Sequence, residues 1–96
     1  MHIGVLRVEF ILHGNESLKD KRRVALSLKQ KLRNKFNVAV AETGSEDSMD
    51  YLSLSVVSVS NSRRHVESRM AKCLNMAQAA CDEELIYDSL EIITSA

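Results

Sequence analysis

The chain has 96 residues, 45% of them apolar, with 13 basic and 13 acidic side chains and no formal net charge. That is material for one small core and one domain over residues 1–96, expected to bury about two-thirds of the unfolded chain's surface. No stretch reaches the roughly 18 apolar residues of a membrane span, and an N-terminus carrying Arg7 and Glu9 is unlike a secretory leader, so the expected setting is the cytoplasm, away from membranes.

Residues 3–12, IGVLRVEFIL, alternate, with Leu6, Val8, Phe10 and Leu12 on one side and Ile3, Val5, Arg7, Glu9 and Ile11 on the other. This predicts a strand with one apolar and one mixed face. HGNE at 13–16 turns the chain, and Ser17 with Asp20 makes a capping-box-like helix start. Leu18, Ala25, Leu28, Leu32 and Phe36 then recur at helical spacing, a stripe that Val24 widens. Residues 37–43, NVAVAET, predict a second strand, and GSEDSMD at 44–50 an acidic loop.

Residues 51–60, YLSLSVVSVS, alternate again, with Leu52, Leu54 and Val56 opposite Tyr51, Val57 and Val59. Ser60 or Asn61 is placed to cap a second helix, on which Val66, Met70, Cys73, Leu74, Ala77 and Cys81 share a face. Cys73 and Cys81 stand a rise of about 12 Å apart, too far for a disulfide, and read as reduced core residues. CDEE ends the helix, and residues 85–94 predict the last strand, with Ile86, Leu90 and Ile92 in register. No Cys or His spacing suits zinc, so neither metal nor cofactor is expected.

The order strand, helix, strand, strand, helix, strand has a preferred solution. Right-handed crossovers interleave the halves into a four-stranded antiparallel sheet with both helices on one face, the ferredoxin-like α/β sandwich of the α+β class. That fold hosts many unrelated functions.

The connecting residues carry more. IGVLRVEF leading to SLKDKR, then KFNVAVAE, then VVSVSNSRRHVE, resembles the YlxP-like family of small uncharacterised bacterial proteins, in order and nearly end to end. The resemblance implies the ferredoxin-like fold. Genes of that family often lie beside those for a translation initiation factor and a ribosome-binding factor, which implies work on the ribosome or RNA. It brings no established catalytic residue. Relatives tend to carry His early and Trp late in the loop after the second strand, where this chain has Ser45 and Met49, so loop 44–50 departs from the pattern.

Residues 17–37 hold eight of the thirteen cations and one acid, Asp20. At about 100° per residue, Lys19, Arg22, Arg23, Lys29 and Arg33 share the solvent side of the first helix, with Leu26 among them, while Lys31 and Lys35 lie on the opposite flank. Lys19–Arg23, Lys29–Arg33 and Lys31–Lys35 are like-charge pairs that each cost about 0.2–0.5 kcal/mol. An apolar residue ringed by cations suits a polyanion or an acidic protein. A solvated basic face, matched within the fold or across a dimer by SEDSMD and CDEE, explains the same pattern. Lys21 projects into the apolar stripe, so it either lays its stem on the sheet and keeps its ammonium near water or a carboxylate, or binds an anion.

The loop HGNES, with His13, Gly14 and a helix start, is the place for a phosphate-handling site. It has one glycine and no arginine, and no nucleotide or nucleophile motif accompanies it. The open sheet face offers Ile3, Val5, Val57, Val59 and Ile93, together with Leu85, and has Tyr51 only at its margin. That is poor for stacking bases and apolar enough to be covered by a second copy. The expectation is therefore a non-catalytic protein that binds ribosomal RNA or a ribosome-assembly protein through the first helix. A structural or regulatory homo-oligomer is the alternative, and a small phosphate-handling enzyme comes third.

Overall fold

The alternation over residues 3–12 becomes β1 (His2–Ile11), a central strand of the sheet in the computed structural model, which describes residues 1–14 and 17–96. It is followed by α1 (Leu18–Lys35), β2 (Ala39–Glu42), β3 (Tyr51–Ser60), α2 (Arg63–Ala80) and β4 (Glu84–Thr94). The sheet order is β2-β3-β1-β4 with every neighbouring pair antiparallel, which is the ferredoxin-like α+β arrangement. Each crossover helix packs on the same face of the sheet, as a right-handed β–α–β unit requires.

The core forms where the period-2 and period-3.6 patterns meet. Leu6, Val8 and Phe10 of β1, Val40 of β2, and Leu52, Leu54 and Val56 of β3 face Ala25, Leu28 and Leu32 of α1 and Val66, Met70, Cys73 and Ala77 of α2. Cys73 and Cys81 are buried and unbridged, and burial pushes the Cys73 thiol up to about 11. One glycine sets how near α2 lies. A Cβ on Gly4 would stand 2.5 Å from Val66 Cγ1 and 2.9 Å from Met70 Cγ, so α2 packs directly on the β1 backbone.

Three details differ from the sequence expectation. Ser62 caps α2, accepting from the His65 N–H at 3.3 Å, while Ser60 Oγ accepts from the Ser62 N–H one step earlier. Leu18, expected to begin the buried stripe of α1, is 39% exposed at the first residue of the helix, one turn before the buried Lys21. The phase of β4 changes at its start. Opposite β1 the register slips between Glu9 and Phe10, so Leu85 pairs with Phe10 on the core side and Tyr87 with Glu9 on the open side. A bulge places two residues against one and reverses the alternation beyond it. Leu85 therefore packs on the core instead of the open face, and Ile86, expected to point inward, is 46% exposed. Leu90 and Ile92 keep the helix side, paired with Leu6 and Gly4.

Candidate functional site

The first helix answers the charge question by its orientation. Ser17 caps it, accepting from the Asp20 N–H at 3.1 Å, and the buried stripe of Lys21, Ala25, Leu28 and Leu32 turns the opposite side outward. Lys19, Arg22, Arg23 and Arg33 are exposed, Lys29 is half-buried, and Leu26 stands 51% exposed among them. Among the described residues, one carboxylate lies within 4 Å of these cations, Asp20 at 3.9 Å from Arg23. Among the described residues, neither acidic segment pairs with these cations. CDEE meets His13, whose N–H donates to Glu83 Oε2 at 2.9 Å and whose Nε2 lies 2.8 Å from Glu84 Oε1. The loop 44–50 is held by Lys21.

That lysine is an interior residue. Its side chain is 3% exposed, and its ammonium donates to the Ser45 carbonyl, to the Ser48 carbonyl at 2.6 Å and to Glu42 Oε2 at 2.8 Å. Three donors meet three acceptors, so the anion that Lys21 binds is the chain's own Glu42, with no hydrogen left for an external one. Ser45 completes the latch: its hydroxyl donates to Glu42 Oε2 at 2.6 Å and accepts from the Ser53 N–H at 2.9 Å. Burial alone would raise the Glu42 carboxyl. The hydrogen bonds from Lys21 and Ser45, with the charges of Lys21 and Lys29, outweigh it and hold the pKa below its ordinary value of 4.5. Lys21 thus ties α1 to the end of β2 and shapes the acidic loop.

Arg33 also has a structural role. Its Nη2 donates to the Val40 carbonyl at 3.0 Å, on β2, an edge strand of the sheet. That contact covers an edge acceptor and leaves the rest of the guanidinium outward. Sequence reasoning placed the cations correctly on the surface but missed Glu42, Ser45 and the Arg33 tie. A lysine inside an apolar stripe does signal a buried carboxylate somewhere, and Glu42 closes a strand that the helix must cross.

The open face of the sheet divides in two. At one end Val59, Ile3 and Ile93 form a cross-strand row beside a second row of Ala39, Val57, Val5 and Glu91. Val57, Val59 and Ile93 are 38%, 51% and 43% exposed, so this end is an apolar surface in water bordered by the exposed Glu91. At the other end Arg7 pairs with Glu9 at 3.2 Å and reaches Ser53. Tyr51 is bound there by its hydrogen bond to Glu9, which raises the phenol's pKa. Tyr87, 49% exposed, occupies the open-face position expected of Leu85. In the loop proposed for phosphate, Gly14 takes a left-handed φ of 73°, and Asn15 and Glu16 lie outside the described residues. No grouping of three metal-ligating side chains occurs among the described residues, and none of their helices is long and apolar enough to cross a membrane.

With this geometry in place, comparison with known proteins is informative at the level of family and fold. The profile of a family described as "Protein of unknown function (DUF503)" matches residues 3–89. The uncharacterised protein YlxP of Bacillus subtilis (strain 168) is 35% identical over 72 residues, which are 75% of this chain and 78% of that protein. Among solved structures, the Arabidopsis thaliana protein At3g17210 superposes with a TM-score of 0.53 at 8% identity, covering 98% of this chain and 95% of its own. The Agrobacterium tumefaciens protein Atu4242 gives a TM-score of 0.50 at 9% identity, covering 100% and 94%. At such identities the structural likeness speaks for the fold alone.

Proposed function

The chain belongs to the DUF503 family of proteins of unknown function, so its work must be argued from its own surface, and we propose that it is a non-catalytic cytoplasmic protein that binds ribosomal RNA or a ribosome-assembly protein through the basic face of α1. The observation that carries this reading is the solvent-facing stripe of Lys19, Arg22, Arg23, Lys29 and Arg33 around the exposed Leu26, where among the described residues one carboxylate, Asp20, comes within 4 Å of a cation. Cations in the first turns of a helix oppose its dipole, and like charges four apart repel, so the stripe lowers helix stability. Contact with phosphates reverses both penalties by neutralising the charge and releasing counterions. The test is co-sedimentation of the chain with purified ribosomal subunits at low and moderate salt. The reading expects retention at low salt that falls steeply as salt rises, and salt-independent absence from both subunits overturns it.

A second reading is favoured by a separate observation. The apolar end of the open sheet face, formed by Ile3, Val5, Val57, Val59 and Ile93, supports self-association through that face, which leaves α1 free on the opposite side of the sheet. Light scattering is expected to find a dimer or larger species that Val57→Glu dissociates. A monomer at high micromolar concentration, unchanged by that substitution, removes this second reading without touching the first.

A further inference from the structure

The other flank of α1 poses a different question. Lys31 and Lys35 do not join the basic stripe; they face α2 across a groove of about 540 Å³. It is lined by the half-buried Phe36 and Met76, by the exposed Asn75 and Ala79, and by Lys72 of α2, which joins Lys31 and Lys35 as its charged side chains. None of the three ammonium groups has a carboxylate within 4 Å among the described residues, and Asp82 and Glu83 line a separate hollow beside Arg23. The sequence of α2 adds an independent observation. Residues 73–80, CLNMAQAA, carry no charge, although Asn75, Gln78 and Ala79 among them are exposed. The polar residues this stretch shows to water are the neutral Asn75 and Gln78, so the charge lining the groove comes from Lys31, Lys35 and Lys72, all of one sign.

We propose that the α1–α2 groove docks an acidic amphipathic helix of a partner protein. The small side chain of Ala79 lets a helix backbone approach, and Met76 adapts to a varied apolar surface. Phe36 supplies an aromatic floor, and helix-in-groove recognition needs apolar anchors at i, i+3, i+4 and i+7 on the incoming segment. Lys31, Lys35 and Lys72 demand Asp or Glu beside those anchors. No sheet edge opens into this groove, so an extended segment would gain no backbone partners there. An RNA strand is a poorer fit, because Phe36 is the one aromatic side chain lining the groove and offers a single platform for stacking bases. This surface lies on the opposite flank from the Lys19–Arg33 stripe, so the two proposals fail independently.

The probe is a fluorescein-labelled synthetic peptide of about 18 residues, with leucines at helical spacing flanked by glutamates, and its control is a shuffled peptide of the same composition. Each is titrated into the full chain and followed by anisotropy and by amide chemical shifts. The amphipathic peptide is expected to bind at least about tenfold tighter than the shuffled one, with the shifts centred on Phe36 and Met76. Lys35→Glu combined with Lys72→Glu is expected to weaken it by about tenfold or more, and Ala79→Glu, at an exposed helical position, to do the same while keeping a folded spectrum. Lys19→Glu with Arg22→Glu is expected to leave the affinity unchanged. Equal binding of the two peptides, shifts outside the groove, or insensitivity to the rim lysines overturns the proposal. So does movement of the groove resonances with protein concentration alone, which assigns the groove to a second copy. Larger shifts there with decanoate or with an RNA hairpin than with the peptide assign it to those ligands and equally overturn it.

Discussion

The two helices have the same length, 18 residues each, and rest on the same face of the same sheet, yet they meet water in opposite ways. Toward the sheet both obey one rule: Ala25, Leu28 and Leu32 of α1 and Val66, Met70, Cys73 and Ala77 of α2 are buried. Away from it, α1 carries cations along its length with one carboxylate, Asp20, within 4 Å of them among the described residues, while α2 pairs Arg63 with Glu67 at 2.7 Å, keeps Arg69 and Lys72, and carries no charge from Cys73 to its end. The core explains neither outer face. What the difference teaches is that burial fixes the inner half of a helix, and whatever the protein meets fixes the outer half.

The largest expected effect breaks the inner equivalence from the α1 side. Lys21→Ala leaves the Glu42 carboxylate and two carbonyls without their shared donor, and removing one partner of a buried pair costs about 3 kcal/mol. Urea denaturation is the measurement. Lys21→Met, which fills the space without the charge, is expected to recover little, because Glu42 still lacks its counter-ion. A next, smaller effect probes α2. Gly4→Ala inserts a methyl group against Val66 and Met70, where overpacking costs about 1–3 kcal/mol. Amide exchange is expected to rise in α2 and to change little in α1.

The outer faces give the third comparison. Lys19→Glu with Arg22→Glu is expected to lower retention on structured RNA by about tenfold and to flatten its salt dependence. The same change is expected to leave the fold as stable or slightly more so, since acidic residues suit a helix start. Arg63→Glu with Arg64→Glu, at the start of α2, is expected to affect RNA much less, for no continuous stripe follows them. Equal losses from the two double variants erase the functional distinction between the helices.

The smallest effect is a pH dependence seated in the α1 latch. The Glu42 pKa is lowered in the folded chain, so the folded state binds fewer protons there than the unfolded state does. Its contribution to stability is complete above the ordinary value of 4.5 and is lost as pH falls through the lower folded value. Glu42→Gln is expected to be less stable at neutral pH and to show a shallower decline on acidification. Parallel pH profiles for the two proteins contradict the latch.

Sequence alone determined the element order and most of the buried stripes, because these depend on periodicities of two and 3.6 that any short window displays; the ferredoxin-like topology followed from that order, and the family from a resemblance of the connecting motifs. It also placed the cations of α1 on the outside, since the angle between residues of one helix is a local quantity. Tertiary structure decided the rest, because in each case the partners meet only once separate elements have packed together. Lys21 finds the Ser45 carbonyl 24 residues away only after β2 has joined the sheet, and Arg33 finds Val40 only when that strand is an edge. The phase of β4 depends on a bulge opposite Glu9 and Phe10, which no pattern within β4 records. The closeness of α2 depends on Gly4, a residue sixty-two positions before Val66. Periodicity tells a side chain which way to face; the closed fold decides what it meets there.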